Sequence, residues 1–167
     1  MAKVGDITQW LEKAKKVGKG EADLSRDEDL AIGIMNLVSL EEHFYFTAMK
    51  TNDGKYLDML QAVRSLRQKM MKKIVVDPQG EEWCISKHLL AASMRLIEVG
   101  TKEQTRHPKE AQAYFEAAFE LFSLFFAINL KMVDRQKIGA VAEKDESKVM
   151  SKFSGIMKRI LDCCKEW

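Results

Sequence analysis

The sequence predicts an all-α fold, an up-down antiparallel helical bundle of five to six helices. Three observations point there. Proline occurs only 2 times in 167 residues, while Ala, Leu, Met, Lys and Glu, all good helix formers, are plentiful. Apolar residues recur at three- and four-residue steps over long stretches. No alternating segment bounded by turns is long enough for a sheet; the nearest, 74–76, is too short. The 46% hydrophobic and 31% charged composition is that of a folded chain, and the length suits a single α-helical domain over 1–167.

The first predicted helix covers about 7–17. Asp6 caps it, Ile7, Trp10, Leu11, Ala14 and Val17 form its apolar stripe, and Gly18 and Gly20 end it. The second covers about 27–50, with Ser25 and Glu28 at the spacing of a capping box and Thr51-Asn52-Asp53-Gly54 as the turn that follows. The third runs over about 55–75 and stops at Asp77-Pro78-Gln79-Gly80. The fourth covers about 81–101. The fifth starts near Pro108, a residue favoured in a first helical turn, and continues to about 132. After a polar stretch with Gly139, the sixth covers 143–164. Short connections make the second to fifth helices antiparallel neighbours, a core bundle over about 27–132. Helices 7–17 and 143–164 pack across it or at a subunit interface. In the last, Val149, Phe153, Ile156, Ile160, Cys163 and Trp167 make a narrow seam that fits its own bundle or a second copy.

A net charge of +2 supplies no bulk attraction to nucleic acid or anionic lipid. Residues 1–19 are polar and lack the apolar core of a secretory signal, and no unbroken apolar run reaches the roughly 18 residues of a membrane span. Two of the three cysteines, Cys163 and Cys164, are sequence neighbours; the third is Cys84. These features predict a reduced, cytoplasmic protein with no membrane partner.

Function is expected where the helical pattern breaks. Residues advance about 100° per step around a helix. On the second predicted helix, Leu30, Ile34, Leu37, Val38, Tyr45 and Ala48 define a core face; Glu41 falls in its middle, Glu42 on its edge, and His43 points away. The third is amphipathic through Tyr56, Met59, Leu60, Val63, Leu66, Met70, Met71 and Ile74, with Arg67 inside that arc and Arg64 at its margin. An antiparallel hairpin centred near Asn52 sets Glu41 level with Arg64 and one turn from Arg67, so a buried carboxylate acquires guanidinium partners. The fourth is apolar on two sides, through Ile85, Leu89, Ala92, Leu96 and Val99 and through Trp83, Leu90, Met94 and Ile97. Between them run Cys84, Lys87, His88, Arg95 and Glu98. Carrying the register onward gathers Glu41, Arg64, Arg67, His88 and Arg95 in one polar layer, with Cys84 at its edge. That layer is either a structural ion pair beside a solvated stripe or a pocket with excess positive charge, suited to a small anion. The fifth helix is apolar over more than half its circumference, leaving Glu116, Glu120, Ser123 and Lys131 on a narrow polar side.

Catalytic and metal patterns do not emerge. Neither Glu41 nor Glu42 has the histidine three residues on that a di-iron bundle needs. Cys84-x-x-x-His88 resembles the second half of the Cys-x-x-Cys-x-x-x-His motif of carboxymuconolactone decarboxylase–like peroxidases, but position 81 is Glu, which removes the disulfide cycle. His107 directly follows Arg106 at a helix start and reads as loop and cap. No phosphate loop, zinc spacing, nucleophile elbow or dinucleotide fingerprint is present. The leading expectation is a non-enzymatic interaction or assembly protein, a homodimer without cofactor or metal. One alternative is a small anionic-ligand-binding protein or enzyme using Glu41, Arg64, Arg67, Cys84, His88 and Arg95. The other is nucleic-acid association through Lys69, Lys72 and Lys73, with Lys87 nearby; the absence of interleaved aromatics weighs against it.

Overall fold

Helix formers and breakers along the chain set the elements. The computed structural model describes residues 24–130, which form α1 (Ser25–Thr51), α2 (Lys55–Met71), α3 (Glu82–Glu103) and α4 (Pro108–Asn129). They correspond to the second to fifth predicted helices. The described residues contain no strand, so 74–76 is not one. The predicted helices 7–17 and 143–164, and with them the terminal seam, lie outside the described residues.

The helix ends follow local chemistry, with two departures from expectation. A capping box at Ser25 would require Ser25 to stand outside the helix; instead Leu24 occupies the cap position and Ser25 is already helical. At the other end Asn52 adopts φ 52°, a left-handed conformation that Asn tolerates, and Asp53 Oδ1 accepts a 3.0 Å bond from the Lys55 N–H. α2 stops at Met71, short of the predicted 75. The chain tightens there through the Lys73 N–H to Met70 oxygen and Ile74 N–H to Met71 oxygen bonds. This turn swings Ile74 and Val75 into the core. The Gln79 N–H then donates 2.9 Å to Glu82 Oε2, anchoring the start of α3. His107 occupies the cap position of α4, with its side chain turned to Glu103 rather than to the helix N–H groups, and Pro108 takes the first turn, as the sequence predicts.

α1 packs on α2, α3 packs on α4, and α1 also packs on α3; α2 and α3 are not a packing pair. The expected antiparallel contact between them is absent because the segment after α2 is used to bury Ile74 and Val75. The core lies where all four helices contribute: Ala31, Ile34 and Met35 from α1, Met71 from α2, Leu89 and Leu90 from α3, and Phe125, Phe126, Ala127 and Ile128 from α4. Among the described residues α1 is the one helix packed on α2, and it does not cover the whole of the α2 apolar arc. Met59 and Leu66, and Tyr45 on α1, are exposed.

The α3–α4 hairpin is held by small residues at seven-residue spacing. Ser86, Ser93 and Gly100 on α3 and Ala111 and Ala118 on α4 are all buried. A Cβ at Gly100 would lie 2.7 Å from the Phe115 ring, so the approach requires glycine there. At the opposite end of the hairpin the Asn129 amide donates 3.0 Å to Ser86 Oγ. Ser123, expected on the polar side of its helix, is fully buried, and its hydroxyl has no hydrogen-bond partner among the described residues. It is a small side chain beside a run of α4 residues, Phe125, Phe126, Ala127 and Ile128, that are all buried as well. α4 averages a hydropathy of 1.2 over an 18-residue window, enough by length and composition to cross a membrane although no unbroken apolar run is that long. Here that apolarity supplies a large share of the core.

Candidate functional site

Because α2 and α3 both rest on α1 without packing on each other, a cleft of about 560 Å³ opens between them. Its floor is α1, contributing Val38, Glu41, Glu42 and Tyr45. The α2 wall carries Leu60, Arg64, Arg67 and Gln68. The α3 wall carries Trp83, Cys84, Lys87, His88 and Ala91. The volume falls within the range of metabolite-sized sites.

The charged centre is the Glu41 carboxylate. Arg67 Nε donates to Glu41 Oε1 at 2.6 Å and Arg67 Nη2 to Oε2 at 3.3 Å, a two-pronged contact. Arg64 Nε donates to Oε2 at 3.1 Å. The two arginines differ in setting: the Arg67 side chain is 5% exposed and that of Arg64 is 48% exposed. Arg67 Nη1 also points at the Met71 sulfur, 3.7 Å away. Burial raises the Glu41 pKa, and the hydrogen bonds and charges of Arg67 and Arg64 more than reverse it, holding the carboxyl below its ordinary 4.5. The carboxylate is therefore ionised at neutral pH and keeps both guanidiniums oriented.

Five of the six sequence-derived candidates line this cleft: Glu41, Arg64, Arg67, Cys84 and His88. Arg95 does not. It lies beside the cleft, with Nε 3.4 Å from Glu42 Oε2 and Nη2 donating 2.8 Å to Ser39 Oγ, both on α1. The register extrapolation misplaced it because α3 packs on α1 rather than on α2. Lys87, on the same stripe of the fourth predicted helix as Cys84 and His88, lines the cleft with them. Tyr45, Trp83 and Gln68 complete it and were not singled out as site residues; apolar periodicity does not separate a cleft wall from a core. Cys84 is exposed and unbridged.

Away from the cleft, Glu103, His107 and Glu110 cluster at the α3–α4 turn with potential ligand atoms within 4.8 Å of one another. His107 Nδ1 is hydrogen-bonded to Glu103 Oε2 there. The cluster sits on the surface and shares no residue with the cleft.

No protein-family model, no curated protein and no solved structure matches this chain, so its function rests on the geometry of its own residues.

Proposed function

We propose that this protein binds a small anionic ligand in the cleft between α2 and α3. The observation that supports the reading best is convergence. Glu41, Arg64, Arg67, Cys84 and His88, scattered over three helices, line one cavity. Within it the two arginines have different tasks. Arg67 is buried and committed to Glu41, so it shapes the site. Arg64 uses only its Nε on Glu41, which leaves both Nη groups to donate to a ligand while the carboxylate fixes the guanidinium plane. Thermal unfolding in the presence of phosphate, carboxylate and sulfonate compounds tests this. Ligands of the folded state raise the Tm of the wild-type protein, and Arg64→Met removes that shift. An unchanged Tm with every anion counts against the reading.

A second reading is assembly through the α1–α2 hairpin, a homodimer being the simplest form. It is favoured by exposure: among the described residues, eight of the eleven large apolar side chains at the surface, including Phe46, Met49, Met59 and Leu66, belong to this hairpin. Clustered exposed apolar residues mark contact surfaces. Light scattering at micromolar concentration tests it, with a dimer expected for wild type and a monomer for Phe46→Glu/Met59→Glu. Ligand binding stands ahead of assembly because the cleft has a chemistry of its own.

A further inference from the structure

Resting on the anion-binding reading, we infer that the ligand is a phosphate monoester, held as a dianion between Arg64 on one wall and Lys87 on the other. The charges around the cleft single out these two cations. Glu41 neutralises Arg67, with which it makes its shortest contact, 2.6 Å, inside the α1–α2 interface. Glu42 is met by Arg95 from outside the lining, at 3.4 Å. Two acids are thus offset by two arginines. Arg64 and Lys87 remain, and Lys87 has no ion-pair partner among the described residues. Neutral Gln68 on the α2 wall and His88 on the α3 wall add hydrogen-bonding capacity to this rim.

The four cations, Arg64, Arg67, Arg95 and Lys87, exceed the two acids by two positive charges, a surplus that complements a dianion better than a monoanion. A phosphate monoester fits this because its second pKa of about 6 leaves it close to doubly charged above neutrality, and its three terminal oxygens accept from several directions at once. A guanidinium supplies a planar fork and an ammonium a point charge, a pairing suited to a tetrahedral anion approached from two sides. The rest of the lining speaks for an ester rather than free phosphate. Val38, Leu60, Trp83 and Ala91 offer apolar surface, and Tyr45 an aromatic ring, to an organic group attached to the phosphate. The cleft is open enough for such a group to extend from it, and its volume suits a small metabolite rather than a polymer.

The full chain is titrated calorimetrically at pH 8 with phenyl phosphate, phenyl sulfate and inorganic phosphate. Phenyl sulfate has nearly the same shape but carries one charge. The inference expects phenyl phosphate to bind about tenfold tighter than either comparison compound, from one extra charge-assisted contact and from the ring. Lys87→Met, a change at a partly exposed position, is expected to lower phenyl phosphate affinity about tenfold and phenyl sulfate affinity by a smaller factor, about threefold, because the lost ammonium acts on two charges in one and on one in the other. Equal affinity for phenyl phosphate and phenyl sulfate overturns the dianion assignment while leaving an anion cleft in place. Inorganic phosphate binding as tightly as phenyl phosphate overturns the ester assignment in the same way. Heat from none of the three, in protein whose thermal unfolding is normal, removes the anion-binding reading as well.

Discussion

Arg67 Nε and Glu41 Oε1, on neighbouring helices, lie 2.6 Å apart with their side chains only 5% and 10% exposed. Such a pair is costly to break and cheap to replace, because most of its energy goes into offsetting the desolvation of its own charges. Arg67→Met leaves the Glu41 carboxylate with the half-exposed Arg64 as its remaining ion-pair partner among the described residues and is expected to destabilise the protein by about 1–3 kcal/mol in urea unfolding. Glu41→Leu/Arg67→Met removes both charges and is expected to recover most of that loss. A double variant as unstable as the single one would show that the pair does more than compensate itself.

The same carboxylate gives stability an acid limit. Its folded-state pKa is depressed, so its contribution is present above its unfolded value near 4.5 and is lost as pH falls through the folded value. The stability difference between wild type and Glu41→Gln is therefore expected to be large at pH 7 and to shrink below pH 4.5. A difference that does not change with pH would contradict the ionised pair.

At the α3–α4 turn the sign is reversed. The hydrogen bond that His107 donates to Glu103, with the charge of Glu103 and that of Glu110, raises the His107 pKa above 6.5. Its contribution is present in full below that value and is lost as pH rises through the folded value. His107→Asn is expected to differ from wild type below pH 6.5 and to converge with it in more alkaline buffer, followed by thermal unfolding.

Packing between α3 and α4 makes two opposite predictions. Gly100→Ala drives a methyl to within 2.7 Å of the Phe115 ring and is expected to destabilise by about 1–3 kcal/mol, despite the better helix propensity of alanine. Phe115→Leu in the same chain relieves it. Ser123→Ala, by contrast, removes a buried hydroxyl that lacks a partner among the described residues and is expected to stabilise by about 1 kcal/mol. Denaturant midpoints of the four chains decide both.

Charges inside apolar arcs were the readable part of the site. Glu41 and Arg67 stand out in the sequence because each interrupts a stripe at a position where burial alone is unaffordable, and the turn at Asn52 sets them level. All four described helices were legible from periodicity and punctuation, which are local properties. The relation of α2 to α3 was not, since it depends on Ile74 and Val75 being drawn into the core, and a stretch of two apolar residues carries no period. Arg95 therefore stands beside the cleft rather than in its lining. Ser123 was misread because a serine is polar enough to look external and small enough to fit a tight helix contact. Tyr45 and Trp83 repeat at core spacing, and only the missing α2–α3 contact makes them walls of a cleft.

Cys84 lies in the lining of the cleft and is exposed, which makes its thiol a direct reporter of occupancy. The decisive measurement is the rate of Cys84 alkylation by iodoacetamide, in a chain carrying Cys163→Ser and Cys164→Ser, as phenyl phosphate is added. A ligand bound between Arg64 and Lys87 is expected to slow alkylation in proportion to saturation, and Arg64→Met is expected to abolish the protection. An alkylation rate unchanged at phenyl phosphate concentrations that raise the Tm would place the ligand elsewhere and contradict the assignment of this cleft.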